Sequence, residues 1–281
     1  MLYLQQVVIK SFAAELTNAY RETYSVHEQH YSEILGWAGQ LALENIANSD
    51  ALYHNTDHTM MVSMVGQAIL RGKHLYDGGV TPRDWLHFMM ALLFHDIGYV
   101  RGVCRNDRGN RYATGIEHET IELPPGGTDV ALTQYHVDRS KLFVRERFGG
   151  RLLVDVDTEL IASYIEMTRF QVPDSEAKVT STDSYRGLAR AADFIGQLGD
   201  PRYLEKIPAL FYEFEEIGYN EGMGYKTPGD MRTNFAKFYW SVVRPYVKDA
   251  LKYLRITQEG KQWVANLHSH VFDIEHEVYG K

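Results

Sequence analysis

Apolar residues recur every three or four positions along nearly the whole chain, and no run alternates as a half-buried strand would, so an all-α fold is expected. Phe12, Leu16 and Tyr20, then Ile34, Leu35, Trp37, Leu41 and Ile46, predict two or three helices over residues 2–47. From Thr56 a helix runs to about Leu70, with His58, Val62, Val65 and Ile69 on one stripe. Thr81-Pro82-Arg83-Asp84 reads as a helix start, with Thr as cap, Pro at the first helical position and Asp three after the cap. The helix it opens is apolar nearly all round to Phe94, which predicts a central, buried element that Gly98 is placed to end. A polar, glycine-rich connection over 99–127 precedes a helix from Thr128 to Phe148. Asp157 caps the next helix, which reaches Thr168 and is closed off by Pro173. A further helix spans about Asp183 to Leu198, and three more fill 201–220, 228–256 and 257–278, with Pro208 and Pro245 bending or dividing the first two. No internal repeat is visible, and residues 1–281 read as one all-α domain.

Four polar residues interrupt this pattern where apolar ones belong. His58 points where the core points, and His54 lies four residues before it, on the same helical face if the chain is helical there. The hydrophobic segment Phe88 to Phe94 runs straight into His95-Asp96. Asp193 sits among small and apolar residues, Ala189-Arg-Ala-Ala-Asp-Phe-Ile-Gly, where a carboxylate is costly unless something pairs with it. A cation would supply the partner that His58, His95, Asp96 and Asp193 jointly lack, and a set of imidazoles and carboxylates suits zinc, manganese, iron or magnesium.

The order His58, His95-Asp96, Asp193 resembles the HD superfamily of metal-dependent phosphohydrolases, named for its His-Asp pair. Tyr53-His54-Asn55-Thr56-Asp57-His58 is similar to the first motif of cyclic nucleotide phosphodiesterases. The resemblance covers about residues 50–200 and implies an HD helical bundle there, flanked by helices over 1–47 and 201–281. It further implies that His58, His95, Asp96 and Asp193 hold one divalent metal and that Asp96 is shared with a second. In such enzymes a metal-activated water attacks phosphorus, Asp96 is part of the catalytic centre, and His54 is the general acid. Asp57 or another carboxylate is expected to fix the His54 tautomer. The implied activity is hydrolysis of a phosphoester of a nucleotide or a similar small phosphorylated molecule. His136 is a further candidate ligand, and Asn55, Arg139 and Arg169 are candidates for holding the substrate. Tyr99 stands where the phosphodiesterase pattern His-Asp-x-x-His has its last histidine, and no glutamine occurs near Val243 to Val247 to read a purine. Two rival readings are a di-iron oxygenase on the same fold and a regulatory module that binds a nucleotide without cleaving it.

Composition narrows the partners. The formal net charge is -8 and no long basic run occurs, which argues against binding a nucleic-acid backbone. With Cys104 as the one cysteine, no internal disulfide or cysteine-rich zinc module can form. The N-terminus does not read as a signal peptide and no stretch has the length of a membrane span, so a cytoplasmic setting away from membranes is expected. A homo-oligomer is left open. Arg101 to Arg111 in the long connection read first as a solvated face and second as a phosphate grip. His87 and His270 read as surface or helix-face residues.

Overall fold

The computed structural model describes residues 3–150, 153–170 and 181–279. Two N-terminal helices, α1 (Leu4–Tyr24) and α2 (Gln29–Ile46), pack against each other as a hairpin. Helix α3 (Thr56–Asp77) follows, longer by two turns than its apolar stripe suggests, and then α4 (Pro82–Phe94). The Thr81 side chain accepts from the Asp84 amide while Asp84 accepts from the Thr81 amide, the reciprocal cap expected from the sequence. Every residue of α4 from Trp85 to Phe94 is buried, so this helix is the central element that its all-round apolarity requires.

Gly98 does not end α4 by a left-handed turn. The helix stops at Phe94 and passes into a short 3-10 turn, Ile97–Tyr99, against which the helix starting at His136 packs. A Cβ on Gly98 would lie 1.9 Å from the carbonyl oxygen of His136, so the residue is glycine because two backbones meet there.

The long connection is less open than its composition suggests. It holds a small antiparallel hairpin, β1 (Arg111–Ala113) with β2 (Thr120–Glu122), too short to show as alternation in the sequence. Three of its arginines are engaged: Arg101 pairs with Asp50 and Asp129, Arg111 pairs with Glu122, and Arg105 donates from its guanidinium to Glu146 O and from its amide to the Glu146 carboxylate. Thr128 caps only a 3-10 turn, Asp129–Leu132, and α5 (His136–Phe148) begins afresh at the histidine.

Helix α6 (Thr158–Ile165), capped by Asp157, continues as a 3-10 turn, Glu166–Thr168. Pro173 lies outside the described residues. Then come α7 (Tyr185–Leu198), α8 (Tyr203–Glu216) and the short α9 (Tyr219–Met223). Helix α10 (Pro228–Phe238) runs through a π turn, Tyr239–Val243, into α11 (Arg244–Leu254), and α12 (Gln258–Tyr279) closes the chain. The fold is all-α apart from the hairpin, and one hydrophobic core extends from Ile9 through α4 to Ile274. Among the described residues no helix is long and apolar enough to cross a membrane.

Candidate metal centre and its cavity

Three helices and one turn bring the site together. Asn55 caps α3, accepting from the amides of Asp57 and His58, which starts the helix so that His58 faces α4 and α7. Asn55 is thus engaged in the backbone, its amide nitrogen donating to Leu52 O, and it does not line the cavity described below, contrary to the expectation that it holds substrate. Helix α7 approaches α3 closely at Gly196, where a Cβ would lie 2.6 Å from the Val62 Cα, and this contact fixes Asp193 opposite His58. His95 and Asp96 follow directly from the end of α4, and Ser140 of α5 ties their turn down by donating to His95 O and accepting from the Gly98 amide.

The result is a convergence of unlike donors. The Nε2 atoms of His58 and His95 are 3.3 Å apart, and Asp96 Oδ2 lies 3.2 Å from the first and 3.1 Å from the second. Asp193 Oδ1 is 3.4 Å from His58 Nε2 and 3.7 Å from His95 Nε2. The His95 Nδ1–H donates to Leu92 O, leaving Nε2 as a lone pair turned toward the group. Despite these short distances Asp96 Oδ2 has no hydrogen-bond partner, a buried carboxylate oxygen left unsatisfied beside two imidazole nitrogens. His58, His95 and Asp96 are all buried and can hold a metal ion, as their residue types and ordering predict. Asp193, from the same sequence reading, stands with them.

The electrostatics follow. Burial would lower the pKa of His58, but the carboxylates of Asp193 and Asp96 beside it push it up to about 10. His95 is also raised, Asp96 outweighing the burial that opposes it. Asp96 is driven well below the carboxylate range: burial opposes ionisation, and the His95 and His58 imidazoles overcome it. With no cation present, the carboxylate charge is met by protons on the two imidazoles.

A cavity of about 490 Å3 opens onto this group. His54, His58, Asp96, His136, Arg169 and Asp193 line it, while His95 supports the group from the protein interior. His136 donates from Nδ1 to Thr133 O and holds Nε2 3.8 Å from Asp96 Oδ1, the oxygen away from His58 and His95. Between His54 and His136 lies Tyr99, its ring parallel to both at centroid distances of 4.7 and 4.4 Å. Tyrosine at this position therefore contributes a stacking surface where the phosphodiesterase pattern has a histidine.

Two expected substrate contacts have other work. Arg139 is completely buried, donating to the carbonyls of Gly98, Val100 and Ala113 and pairing with both oxygens of Asp107; it pins the long connection to α5 and does not line the cavity. Arg169 does line the cavity, but its guanidinium is bonded to Glu166 and Asp138.

Glu213 was not among the residues singled out in the sequence, and it is the partner of His54. Its Oε2 lies 2.5 Å from His54 Nδ1 and its Oε1 accepts from the amides of Tyr53 and His54. Burial lowers the pKa of His54, but the adjacent carboxylate raises it by more, while His54 and the two amides hold Glu213 below its ordinary range against its own burial. Of the expected alternatives, Asp57 or another carboxylate, it is the other carboxylate that holds the ring, while Asp57 faces Lys206 at 3.5 Å. A signal was present: Glu213 falls on the same face of α8 as Ile207 and Leu210, where a carboxylate is as anomalous as Asp193 is in α7.

No curated protein and no solved structure gives a significant match to the chain. Residues 2–277 match the model of the Npun_R2479-like family, and the chain belongs to that family.

Proposed function

We propose that this protein is a metal-dependent phosphohydrolase of the HD kind, cleaving a phosphoester of a nucleotide or a similar small phosphorylated molecule. The observation that carries this reading is the meeting of two imidazole Nε2 atoms with the carboxylates of Asp96 and Asp193 at a cavity that also exposes His54, itself held by Glu213. One divalent ion, zinc, manganese, iron or magnesium, held by His58, His95, Asp96 and Asp193 would neutralise phosphoryl oxygens and lower the pKa of a water at the site. Asp96 Oδ1 and His136 Nε2, 3.8 Å apart, would be the donors to a second.

The chain's own residues account for the rest of the reaction. As a water oxygen bonds to phosphorus and the bond from phosphorus to the ester oxygen breaks, the leaving oxygen takes a proton from His54 Nε2. Glu213 holds the other ring nitrogen, so the proton on Nδ1 stays there and Nε2 is the one that delivers. Tyr99, stacked on His54, keeps water from one face of that ring.

Metal analysis of the purified protein, combined with phosphate release from a panel of phosphoesters and with Asp96→Ala as control, tests the reading. Bound metal and hydrolysis that both vanish in the variant are expected. Bound iron with oxygen consumption and no phosphate release would point to an oxygenase, and absence of any bound metal would overturn the assignment.

A further inference from the structure

Resting on the phosphohydrolase reading, the lining of the cavity beyond its metal-holding end bears on what the substrate carries besides phosphate. Helix α7 contributes to both ends: Asp193 faces the metal group, and Phe194, the next residue, lines the same cavity. Tyr246 of α11 lines the cavity as well, its ring nearly parallel to that of Phe194, 21° apart in plane and 6.1 Å between centroids. Arg190, one turn earlier on α7, donates to Met167 O and lies 4.7 Å over the Tyr246 ring, which holds that ring in place.

The π turn gives this wall its shape. Phe238, Val242 and Tyr246 all line the cavity, at spacings of four and eight. On an uninterrupted α-helix of 3.6 residues per turn, positions so spaced drift round the axis. The wider turn at Tyr239–Val243 takes up that drift and keeps all three on one face. Such turns are frequent at functional sites. Trp240, on the same turn, points away and donates to Glu275.

We propose that the organic part of the substrate is a planar aromatic ring system, which stacks on the Phe194–Tyr246 face while its single phosphoryl group reaches the metal-holding end. Flat π faces of this kind favour a ring over an alkyl chain of the same charge.

Two non-hydrolysable phosphonates of equal charge, naphthylmethylphosphonate and propylphosphonate, test this by titration calorimetry on the metal-loaded protein. The wild-type protein is expected to bind the aromatic compound at least about tenfold more tightly. Phe194→Leu and Tyr246→Leu are expected to bring the two within about threefold, while Trp240→Phe keeps the wild-type ratio. Equal binding of the two compounds, binding of neither, or a preference that survives both leucine variants would overturn the proposal. Hydrolysis of naphthyl phosphate is measured separately: ring preference without hydrolysis would sink the phosphohydrolase reading and leave the aromatic subsite standing.

Discussion

Glu213 Oε2 lies 2.5 Å from Nδ1 of His54, although 159 positions separate the two residues in the chain. The contact joins α8 to the start of α3 and bears on the protonation of a cavity histidine that stands outside the group of His58, His95, Asp96 and Asp193. Buried carboxylates need such a partner, and the two backbone amides that Glu213 also accepts leave little freedom in its position.

A pH prediction follows from that pair. Glu213 raises the pKa of His54, so on the proposed mechanism the acid stays protonated above the ordinary histidine range and kcat is expected to fall only as pH rises through the raised value. In Glu213→Gln burial is opposed only by the weaker influence of Asp96, so the basic limb of the kcat profile is expected to move toward lower pH. A loss of about 10- to 100-fold in kcat is expected, part of the 10²–10⁴ that a positioned acid contributes. Glu213 is a positioning residue, and a merely structural role would lower kcat without moving the limb. Rate profiles of both proteins decide between these outcomes.

Metal uptake should release protons. With no cation His58 is raised to about 10 and is therefore protonated at pH 7, whereas a ligating imidazole must be neutral. Loading the site at pH 7 is expected to expel about one proton from this residue, more if His95 also gives one up. Calorimetry in two buffers of different ionisation enthalpy measures the number directly. In Asp193→Ala the affinity for metal should fall by more than about 100-fold, the upper end of what the loss of outer partners alone costs. Uptake without proton release would mean that the cation sits elsewhere.

Arg139 gives a stability prediction that separates its observed role from its expected one. The Asp107 side chain opposite it is 1% exposed, so Arg139→Met would leave a buried carboxylate unpaired and three carbonyls without their donor. A loss of about 3–5 kcal/mol is expected. A residue whose task was to hold phosphate would raise KM instead and leave the unfolding midpoint in place. Urea unfolding of the variant distinguishes the two.

These residues show what the sequence carried and what it could not. Asp96 and Asp193 were legible because a carboxylate in an apolar helix is an anomaly in one dimension, without any knowledge of the fold. The α4 cap and its burial were legible for a related reason, since Thr81, Pro82 and Asp84 act within one turn. Arg139 and Asn55 were misread because a polar residue near a motif looks the same whether it turns outward or bonds to backbone. Only the fold reveals that three carbonyls converge on the Arg139 guanidinium. Glu213 carried the same one-dimensional signal as Asp193, but its pairing with His54 depends on how α8 crosses the start of α3. The π turn and the parallel rings of Tyr99 and His136 are consequences of packing, with no local signature to find.

His87 supplies the last test, because it is completely buried where a helix-face position was expected. Its Nδ1 donates to Arg83 O and its Nε2 accepts from the Asp157 amide, so the neutral ring links α4 to the start of α6. Burial lowers its pKa, more than the hydrogen bond to Arg83 O raises it. The sign is that of a depressed folded value: the stability it contributes is complete above the unfolded histidine value of about 6.5 and is lost as pH falls from there through the lowered one. In His87→Leu the Asp157 amide and the Arg83 carbonyl lose their shared partner, and a cost of about 1 kcal/mol at pH 7 is expected. The gap between wild type and variant should narrow between pH 7 and pH 5, because the variant has no neutral imidazole to protonate. Denaturant midpoints at the two pH values measure that gap, and one that stays constant or widens on acidification would show that His87 is not held neutral by the fold.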